Sequence, residues 1–427
     1  MPKIRRSPRT RNNNIKNIKI NYIAVIVLFV TVIAMLIGIL MHKENQKKAK
    51  EAELIAQIEE ERKQYLLFQE EEQAKKELEN EIEENKKDTI IRIVSVGDIL
   101  CEDTIIEDAY NKDTGEYDFS HIFRNVKNHT EKADLTLGML ETNFVNGEKY
   151  SGTGKYNSPR ELAKELKNIG IDILHTANNH SLDYGIEGIK STIDYLEELE
   201  IETLGTYRTK EESENVLIKD VQGIKIALLS YTYGTNVSAS EENSFCVNIT
   251  NKDKIKSDIT KAREQNVEFI FVHMHWGDVD TSVPNEEQKD LANFLFENGA
   301  NFVLGSHPAS LQPMEVRKNE YGNNVFIAYS TGNFISASKY KYSNIEMVLN
   351  IEITKKGETG ETYLSRVTYE PIYLLDRGIG AEERYTLLNI KEEIAKYENE
   401  EENRVDQATY TELKQAIENI EKLIGKE

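Results

Sequence analysis

The order of hydrophobic and polar residues changes abruptly along the chain, and the first change marks a membrane segment. Residues 22–41 form a continuous run of apolar and weakly polar residues from Tyr22 to Met41. A helix of this length, rising about 1.5 Å per residue, spans the ~30 Å hydrocarbon core of a bilayer. The run exceeds the ~7–15 residues of a signal-peptide core. It is followed by His42-Lys43-Glu44-Asn45 instead of small residues. The pattern predicts a transmembrane helix over 22–41 in preference to a signal peptide or a buried helix.

The next segment, residues 42–88, is rich in Glu, Lys, Gln, Ala and Leu and contains neither Pro nor Gly. Its apolar residues recur at a broken three- and four-residue spacing, at Leu54, Ile58, Tyr65, Phe68, Leu78 and Ile82. Glu61 and Glu72 fall on the same stripe. A sustained heptad would indicate a coiled coil. Because this stripe is interrupted, the segment is predicted to be a solvated helical stalk.

From Thr89 onward, short apolar runs alternate with helical patterns, which is typical of strands buried between helices. The predicted strands are Ile90–Val96, Asp134–Leu140, Ile171–His175, Ile224–Tyr231, Val267–His273, Asn301–Leu304 and Val325–Tyr329. The predicted helices are Pro159–Asn168, Gly188–Leu199, Asn251–Glu264 and Asn285–Asn298. Ile351–Ile353 and Thr362–Tyr369 resemble later, antiparallel strands. The pattern predicts one large α/β domain over residues 89–375, with helices packed on sheets.

Residues 376–427 return to an acidic helical pattern and are predicted to form a helical C-terminal segment. One apolar stripe runs along it, formed by Tyr410, Leu413, Ile417, Ile420 and Ile424. A stripe of this kind indicates a helix that packs on its own domain rather than one that binds a partner.

The distribution of charge predicts the orientation of the chain in the membrane and argues against nucleic acid as a partner. The net charge is -21, yet the tail of residues 1–21 holds seven basic side chains, whereas four lysines follow soon after the apolar run. By the positive-inside rule the tail is cytoplasmic, and the chain after Met41 lies outside the cell membrane. The strongly acidic remainder argues against nucleic acid as a partner, because phosphate binding needs clustered Lys and Arg.

Side chains that can bind a metal or move a proton follow the ends of the predicted strands. They are Asp98, Glu141, Asn179 with His180 and Asp183, His273 with His275, His307, and Asn333. Loops at the carboxyl ends of strands carry the chemistry of α/β folds. Asp, Glu, Asn and His are ligands of Mn²⁺, Zn²⁺, Fe and Mg²⁺. Neither a G-x-S-x-G elbow nor a P-loop lysine motif occurs. Metal-assisted hydrolysis is the reaction class that fits, although turn capping and buried structural histidines remain open for individual residues.

The order of these motifs resembles the CapA family of poly-γ-glutamate capsule-synthesis proteins, whose domain is similar to the calcineurin-like metallophosphoesterase fold. The matching pieces are Val96-Gly97-Asp98, Leu140-Glu141, Ala177-Asn178-Asn179-His180 with Asp183-Tyr184-Gly185, His275-Trp276-Gly277, Gly305-Ser306-His307-Pro308 with Leu311-Gln312-Pro313, and Ser330-Thr331-Gly332-Asn333-Phe334. They occur in the family's order over roughly residues 90–375. The resemblance implies a metallophosphoesterase-like α/β sandwich, preceded here by the transmembrane helix and the stalk.

The resemblance also assigns roles to individual residues. It implies that a divalent metal ion is surrounded by Asp98, Glu141, Asn179 and one or more of His273, His275 and His307. It further implies that His180 protonates a leaving group. The chain departs from the pattern at Leu100, Val279 and Ala309, where a metal ligand is common in the family. Each departure removes one ligand, so a site with one ion or with none stays open.

These observations lead to a first functional hypothesis with two alternatives. The first is a single-pass membrane protein that acts outside the cell in the synthesis, export or assembly of an anionic polymer such as poly-γ-glutamate, alongside membrane synthase subunits. The second is a metal-dependent hydrolase of a phosphoester or polymer bond. The third is a non-catalytic scaffold.

Overall fold

The computed structural model describes residues 22–84 and 86–424, which form two separate units. The first unit is one α-helix, Tyr22–Glu84, whose apolar residues are exposed. Among the described residues, it is the one helix that by length and composition could cross a membrane. The predicted transmembrane helix and stalk are thus one continuous helix. The predicted stalk, residues 42–88, extends beyond the end of this helix, because residues 86–88 are not helical. The basic tail, residues 1–21, lies outside the described residues.

The second unit is built around two large β-sheets. The eight-stranded sheet contains, in spatial order, Tyr385–Asn389, Thr362–Asp376, Ile345–Lys355, Thr89–Ile99, Leu135–Leu140, Ile173–His175 and Glu202–Leu204, with Asn333–Ile335 paired beside Thr89–Ile99. The six-stranded sheet contains Met314–Lys318, Asn324–Ala328, Phe302–Ser306, Phe269–His275, Ile224–Thr232 and Leu217–Val221. Ser151–Thr153 and Lys155–Asn157 form a small hairpin. The strands that carry the motifs run parallel within each sheet, so their carboxyl ends reach the same edge.

Helices cover the outer faces of both sheets. The α-helices of this unit are Asp103–Ala109, Ser120–Phe123, Lys127–Thr130, Arg160–Asn168, Gly185–Glu198, Lys210–Ser213, Lys252–Glu264, Glu286–Asn298, Ile390–Glu398 and Gln407–Ile424, with a 3₁₀-helix at Glu241–Cys246. Their ends follow local chemistry. Glu286–Asn298, for example, begins with a capping box of Asn285 and Gln288 and ends at Gly299, whose φ is 106°.

Three hydrophobic layers hold these elements together. The central layer joins the two sheets and includes Ile93 and Ile351 from one sheet and Phe271 and Phe302 from the other. Outer layers join the eight-stranded sheet to helices such as Arg160–Asn168 and the six-stranded sheet to Lys252–Glu264 and Glu286–Asn298. The predicted α/β sandwich is therefore confirmed.

The structure corrects several predicted boundaries. The strand predicted at Val267–His273 is Phe269–His275, which carries both histidines to the strand's end. The predicted antiparallel strands after residue 345 are present, as Ile345–Lys355 and Thr362–Asp376. The predicted helical segment, residues 376–427, contains two helices in its described part, but Tyr385–Asn389 within it forms a strand paired with Thr362–Asp376. The C-terminal helix Gln407–Ile424 does pack on its own domain, through Leu413, Ala416, Ile420 and Ile424.

Candidate metal centre

A cleft of about 490 Å³ opens at the sheet edge where the parallel strands end. Its lining includes Glu141, Asn179, His180, His307 and Asn333. Each follows or begins a strand, as the sequence pattern predicts: Glu141 follows Leu135–Leu140, and His307 follows Phe302–Ser306. The cleft thus collects polar side chains from both sheets.

Glu141, His275 and His307 form the group best placed to hold a cation. One ligand atom from each lies within 4.8 Å of the others. His275 Nε2 is 3.8 Å from Glu141 Oε1, and the rings of His275 and His307 have centroids 4.7 Å apart. Donors bound to one ion at about 2.0–2.2 Å lie up to about 4.4 Å apart. The spacing is therefore close to what a single ion requires.

Two further oxygen donors stand beside this group. Asn179 Oδ1 lies 2.7 Å from His275 Nε2, while Ser306 Oγ lies 2.9 Å from His275 Nδ1 and orients the ring. Asp98 accepts a 2.9 Å hydrogen bond from the His307 backbone N–H through Oδ2, but its buried Oδ1 has no partner among the described residues. An orphaned buried carboxylate oxygen is costly, and a bound cation would satisfy it.

The backbone explains why Asp98 can reach this position. The preceding residue, Gly97, lies so close to the Gly332 carbonyl oxygen that a Cβ atom would collide with it. The Asp98 N–H donates a 3.0 Å hydrogen bond to that same oxygen. The end of the strand Thr89–Ile99 is therefore clamped to the strand Asn333–Ile335.

Burial sets the electrostatics of the group. It raises the pKa of Asp98 to about 7 and that of Glu141 well above its usual value, where the Asp98 charge adds to the effect. Burial lowers the pKa of His275 well below its usual value, and that of His307 to about 4. Neutral imidazoles are the ligand form of histidine, and a nearby cation would reverse the carboxyl shifts. The donor set therefore fits a divalent metal ion.

His180 lies outside the group of Glu141, His275 and His307 and pairs with a carboxylate. Its Nδ1 lies 2.8 Å from Asp183 Oδ2, and Asp183 is held in turn by the Tyr156 backbone N–H at 2.8 Å. The Tyr156 ring packs edge-on against the imidazole, with centroids 4.4 Å apart. A carboxylate on Nδ1 fixes the orientation of the ring, and Asn236 Nδ2 lies 3.4 Å from Nε2.

His273, one of the three histidines that the resemblance offers as ligands, lies apart from this group. Its ring lies between the two sheets and stacks on His175, with centroids 4.4 Å apart and planes 19° from parallel. It is absent from the group of close ligand atoms found among the described residues. Only His275, at the last position of the strand, reaches the cleft residues Glu141 and Asn179.

The departures Leu100, Val279 and Ala309 all line the cleft. Their side chains are apolar and offer no ligand atom to the cleft. The sequence pattern missed Glu102, a cleft carboxylate that accepts hydrogen bonds from Ser336 Oγ and the Ala337 N–H. Glu102 follows the strand by three residues, too far for the strand-end pattern to single it out.

The chain is similar to a family of capsule synthesis proteins and to solved structures. The family model described as bacterial capsule synthesis protein PGA_cap matches residues 92–338, more than half of the chain. The chain is 28% identical over 262 residues to the capsule biosynthesis protein CapA of Bacillus anthracis, an alignment covering 59% of this chain and 60% of that protein. It is 26% identical over 275 residues to the PGA biosynthesis protein CapA of Bacillus subtilis (strain 168), covering 63% and 70%. Among solved structures, it is similar to the calcineurin-like phosphoesterase YfkN from Bacillus subtilis, with 13% identity and a TM-score of 0.41, covering 67% of this chain and 91% of that chain.

Proposed function

The chain belongs to the bacterial capsule synthesis protein family PGA_cap, and on that premise we propose that it acts in the synthesis, export or assembly of an anionic cell-surface polymer such as poly-γ-glutamate. The observation that carries the proposal is the cleft. Residues 92–338, which match the family model, include the candidate ion ligands Glu141, His275 and His307. They also include the His180–Asp183 pair. The names of the two relatives, capsule and PGA biosynthesis proteins, support the polymer class.

The place of action is the outer face of the cell membrane. The apolar helix Tyr22–Glu84 supports a single-pass anchor, and the excess of Lys and Arg before residue 22 supports a cytoplasmic N-terminus. A domain held at the outer face would meet a polymer as it leaves a membrane synthase. Subunits of such a synthase are the partners of this proposal.

The chemistry proposed for the cleft uses the chain's own residues in distinct roles. Glu141, His275 and His307 would hold one divalent ion, with Asp98 and Asn179 supplying oxygen donors. A divalent ion bound there supplies Lewis acidity and a lowered pKa for bound water. His180 would hold the proton that a leaving oxygen or nitrogen needs, and Asp183 keeps its ring in place. Tyr156 packs edge-on against the same ring.

One observation favours a second candidate function, a metal-dependent hydrolase of a phosphoester or polymer bond. The His180–Asp183 pair has an acid–base geometry, with 2.8 Å between Nδ1 and Oδ2, that metal binding alone does not need. General acid–base groups typically contribute about 10²–10⁴-fold to a rate. We expect His180→Ala to lower phosphodiester hydrolysis by this factor, as measured on the purified full chain. Equal rates for wild type and His180→Ala would favour a non-catalytic scaffold.

Deleting the gene in its own host tests the proposed function. We expect the deletion to reduce the anionic polymer on the cell surface, measured by polymer extraction and quantification. The wild-type gene should restore it, and so should His129→Ala, a histidine that contacts Glu392 and does not line the cleft. Asp98→Ala should not restore it at equal protein level in the membrane. Unchanged surface polymer after deletion would contradict the proposal.

A further inference from the structure

The acidic and basic side chains of the cleft lie at different depths. Asp98, Glu102 and Glu141 are acidic groups at or beneath its surface, and Asp98 and Glu141 are almost fully buried. Among the described residues that line the cleft, Lys339 is the one lysine or arginine, and it is exposed at the mouth. Because Lys339 is the cationic side chain at the mouth, a negative group of an anionic molecule is best placed beside it.

The Lys339 ammonium has no competing partner. Its Nζ makes no hydrogen bond or ion pair with any described residue. Several other lysines of the domain have an acidic partner, for example Lys356 with Asp88 at 2.9 Å and Lys254 with Asp258 at 2.8 Å. In a chain with 74 acidic and 53 basic residues, a cleft lysine without an acidic neighbour is available to a ligand.

The loop that carries Lys339 is tied down on both sides. Glu102 accepts a 2.6 Å hydrogen bond from Ser336 Oγ and a 2.8 Å bond from the Ala337 N–H. On the other side, Ser343 Oγ lies 2.8 Å from the Ser338 carbonyl oxygen. The Lys341 N–H donates a 2.8 Å bond to Asp280 Oδ1. The backbone is therefore set before a ligand arrives, which lowers the entropy cost of binding.

We propose that Lys339 is the anion-binding residue of the cleft. It would hold a carboxylate or phosphate group of a polymer while the neighbouring part of the polymer backbone lies over Glu141 and His307. Tyr156 and Tyr340 also line the cleft and offer apolar surface to the carbon chain between charges. The inference rests on the proposed function, because it assigns a substrate-binding residue to the same site.

Binding of a fluorescent oligo-γ-glutamate to the purified full chain in detergent tests the assignment. Reversing one exposed charge should weaken binding roughly twofold to thirtyfold, because it replaces an attraction of about 0.2–1 kcal/mol by a repulsion of similar size. We expect this for Lys339→Glu at low salt, with the difference shrinking at high salt as charges are screened. Lys339→Arg should bind like wild type. Lys341→Glu, the matched control two residues along the same loop, should stay within about twofold.

The same assay with an oligo-glycerol phosphate distinguishes the two kinds of anion. Weaker binding of either oligomer to Lys339→Glu than to Lys341→Glu supports the assignment, and the oligomer affected more identifies the anion. Equal affinities of Lys339→Glu and wild type for both oligomers would overturn it. So would equal losses in the Lys339→Glu and Lys341→Glu variants, since general repulsion would then explain them.

A parallel measurement in cells separates this inference from the proposed function. If wild type restores surface polymer to the deletion strain while Lys339→Glu binds oligomers normally, the proposed function stands and Lys339 is not the anion site. If deletion leaves surface polymer unchanged, the proposed function fails whatever Lys339→Glu does in the binding assay.

Discussion

Glu346 is a carboxylic acid that the fold buries completely. Neither of its oxygens has a hydrogen-bond partner among the described residues. Burial raises its pKa well above the usual value of 4.5, and the Glu102 charge raises it further. Below about pH 4.5 the group is protonated in both folded and unfolded chains and adds no pH dependence. Above that pH the unfolded chain loses the proton that the folded protein keeps, so stability falls as pH rises toward the folded pKa.

Replacing Glu346 should remove this part of the pH dependence. We expect Glu346→Gln to lose less stability than wild type as the pH rises above about 4.5, because the amide does not titrate. Thermal unfolding followed by circular dichroism at several pH values measures the difference. The exposed Glu287, changed to Gln, is the control and should follow the wild-type profile. If stability changed with pH in the same way in wild type and Glu346→Gln, the folded protein would not keep the proton on this buried carboxyl.

Leu100 and Ala309 explain why one ion is expected rather than two. Both line the same cleft as Glu141 without offering a ligand atom. We expect the double change Leu100→His and Ala309→His to raise the number of divalent ions per chain, measured by elemental analysis. The control Leu100→Ile keeps the side chain apolar and should leave that number unchanged. A double variant with the wild-type ion content would show that these positions do not face a second ion.

Single residues also show how far the sequence could predict the site. Asp98, Glu141, Asn179 and His307 were predictable because each stands at the end of a parallel strand. His273 and His275 share a strand face, and sequence spacing alone could not separate them. They differ in position, because His273 lies between the two sheets and stacks on His175 of the opposite sheet. Contacts between distant strands of this kind leave no local pattern.

At the scale of elements, the central strands were predictable and the edge strands were not. Leu135–Leu140 and Phe269–His275 are buried throughout and appear in the sequence as continuous apolar runs. Met314–Lys318 is an edge strand, with Glu315, Val316 and Lys318 exposed. Its apolar and polar residues do not alternate clearly enough to predict a strand from the sequence. Pairing with Asn324–Ala328 determines its conformation instead.

The C-terminal helix Gln407–Ile424 should stabilise the domain measurably. Leu413 is fully buried in the cluster that joins this helix to Met347 and Tyr369. Removing most of a buried leucine side chain typically costs about 2–5 kcal/mol. We therefore expect Leu413→Ala to lower the free energy of unfolding by this amount in urea denaturation. Ile379, which is 95% exposed, is the control, and Ile379→Ala should change stability by less than about 0.5 kcal/mol. Equal stability of Leu413→Ala and wild type would contradict the packing.

At the scale of the whole molecule, the charge difference across residues 22–41 predicts the topology. Seven basic residues precede the apolar run, so the N-terminus is expected in the cytoplasm and residues 43–427 outside. Protease added to intact cells should remove a C-terminal tag and digest the domain. A cytoplasmic protein of the same host is the control and should survive. Full protection of the domain would show that the orientation is reversed.

The central claim for the molecule is that the cleft holds one divalent ion through Glu141, His275 and His307, while His180 acts beside it. Elemental analysis of the full chain, purified in detergent without chelators, tests this most directly. Wild type and His180→Ala should each contain about one ion per chain, because the ion needs the ligand group and not His180. His275→Ala should contain much less. Wild type without stoichiometric metal, or His275→Ala with as much metal as wild type, would contradict the account.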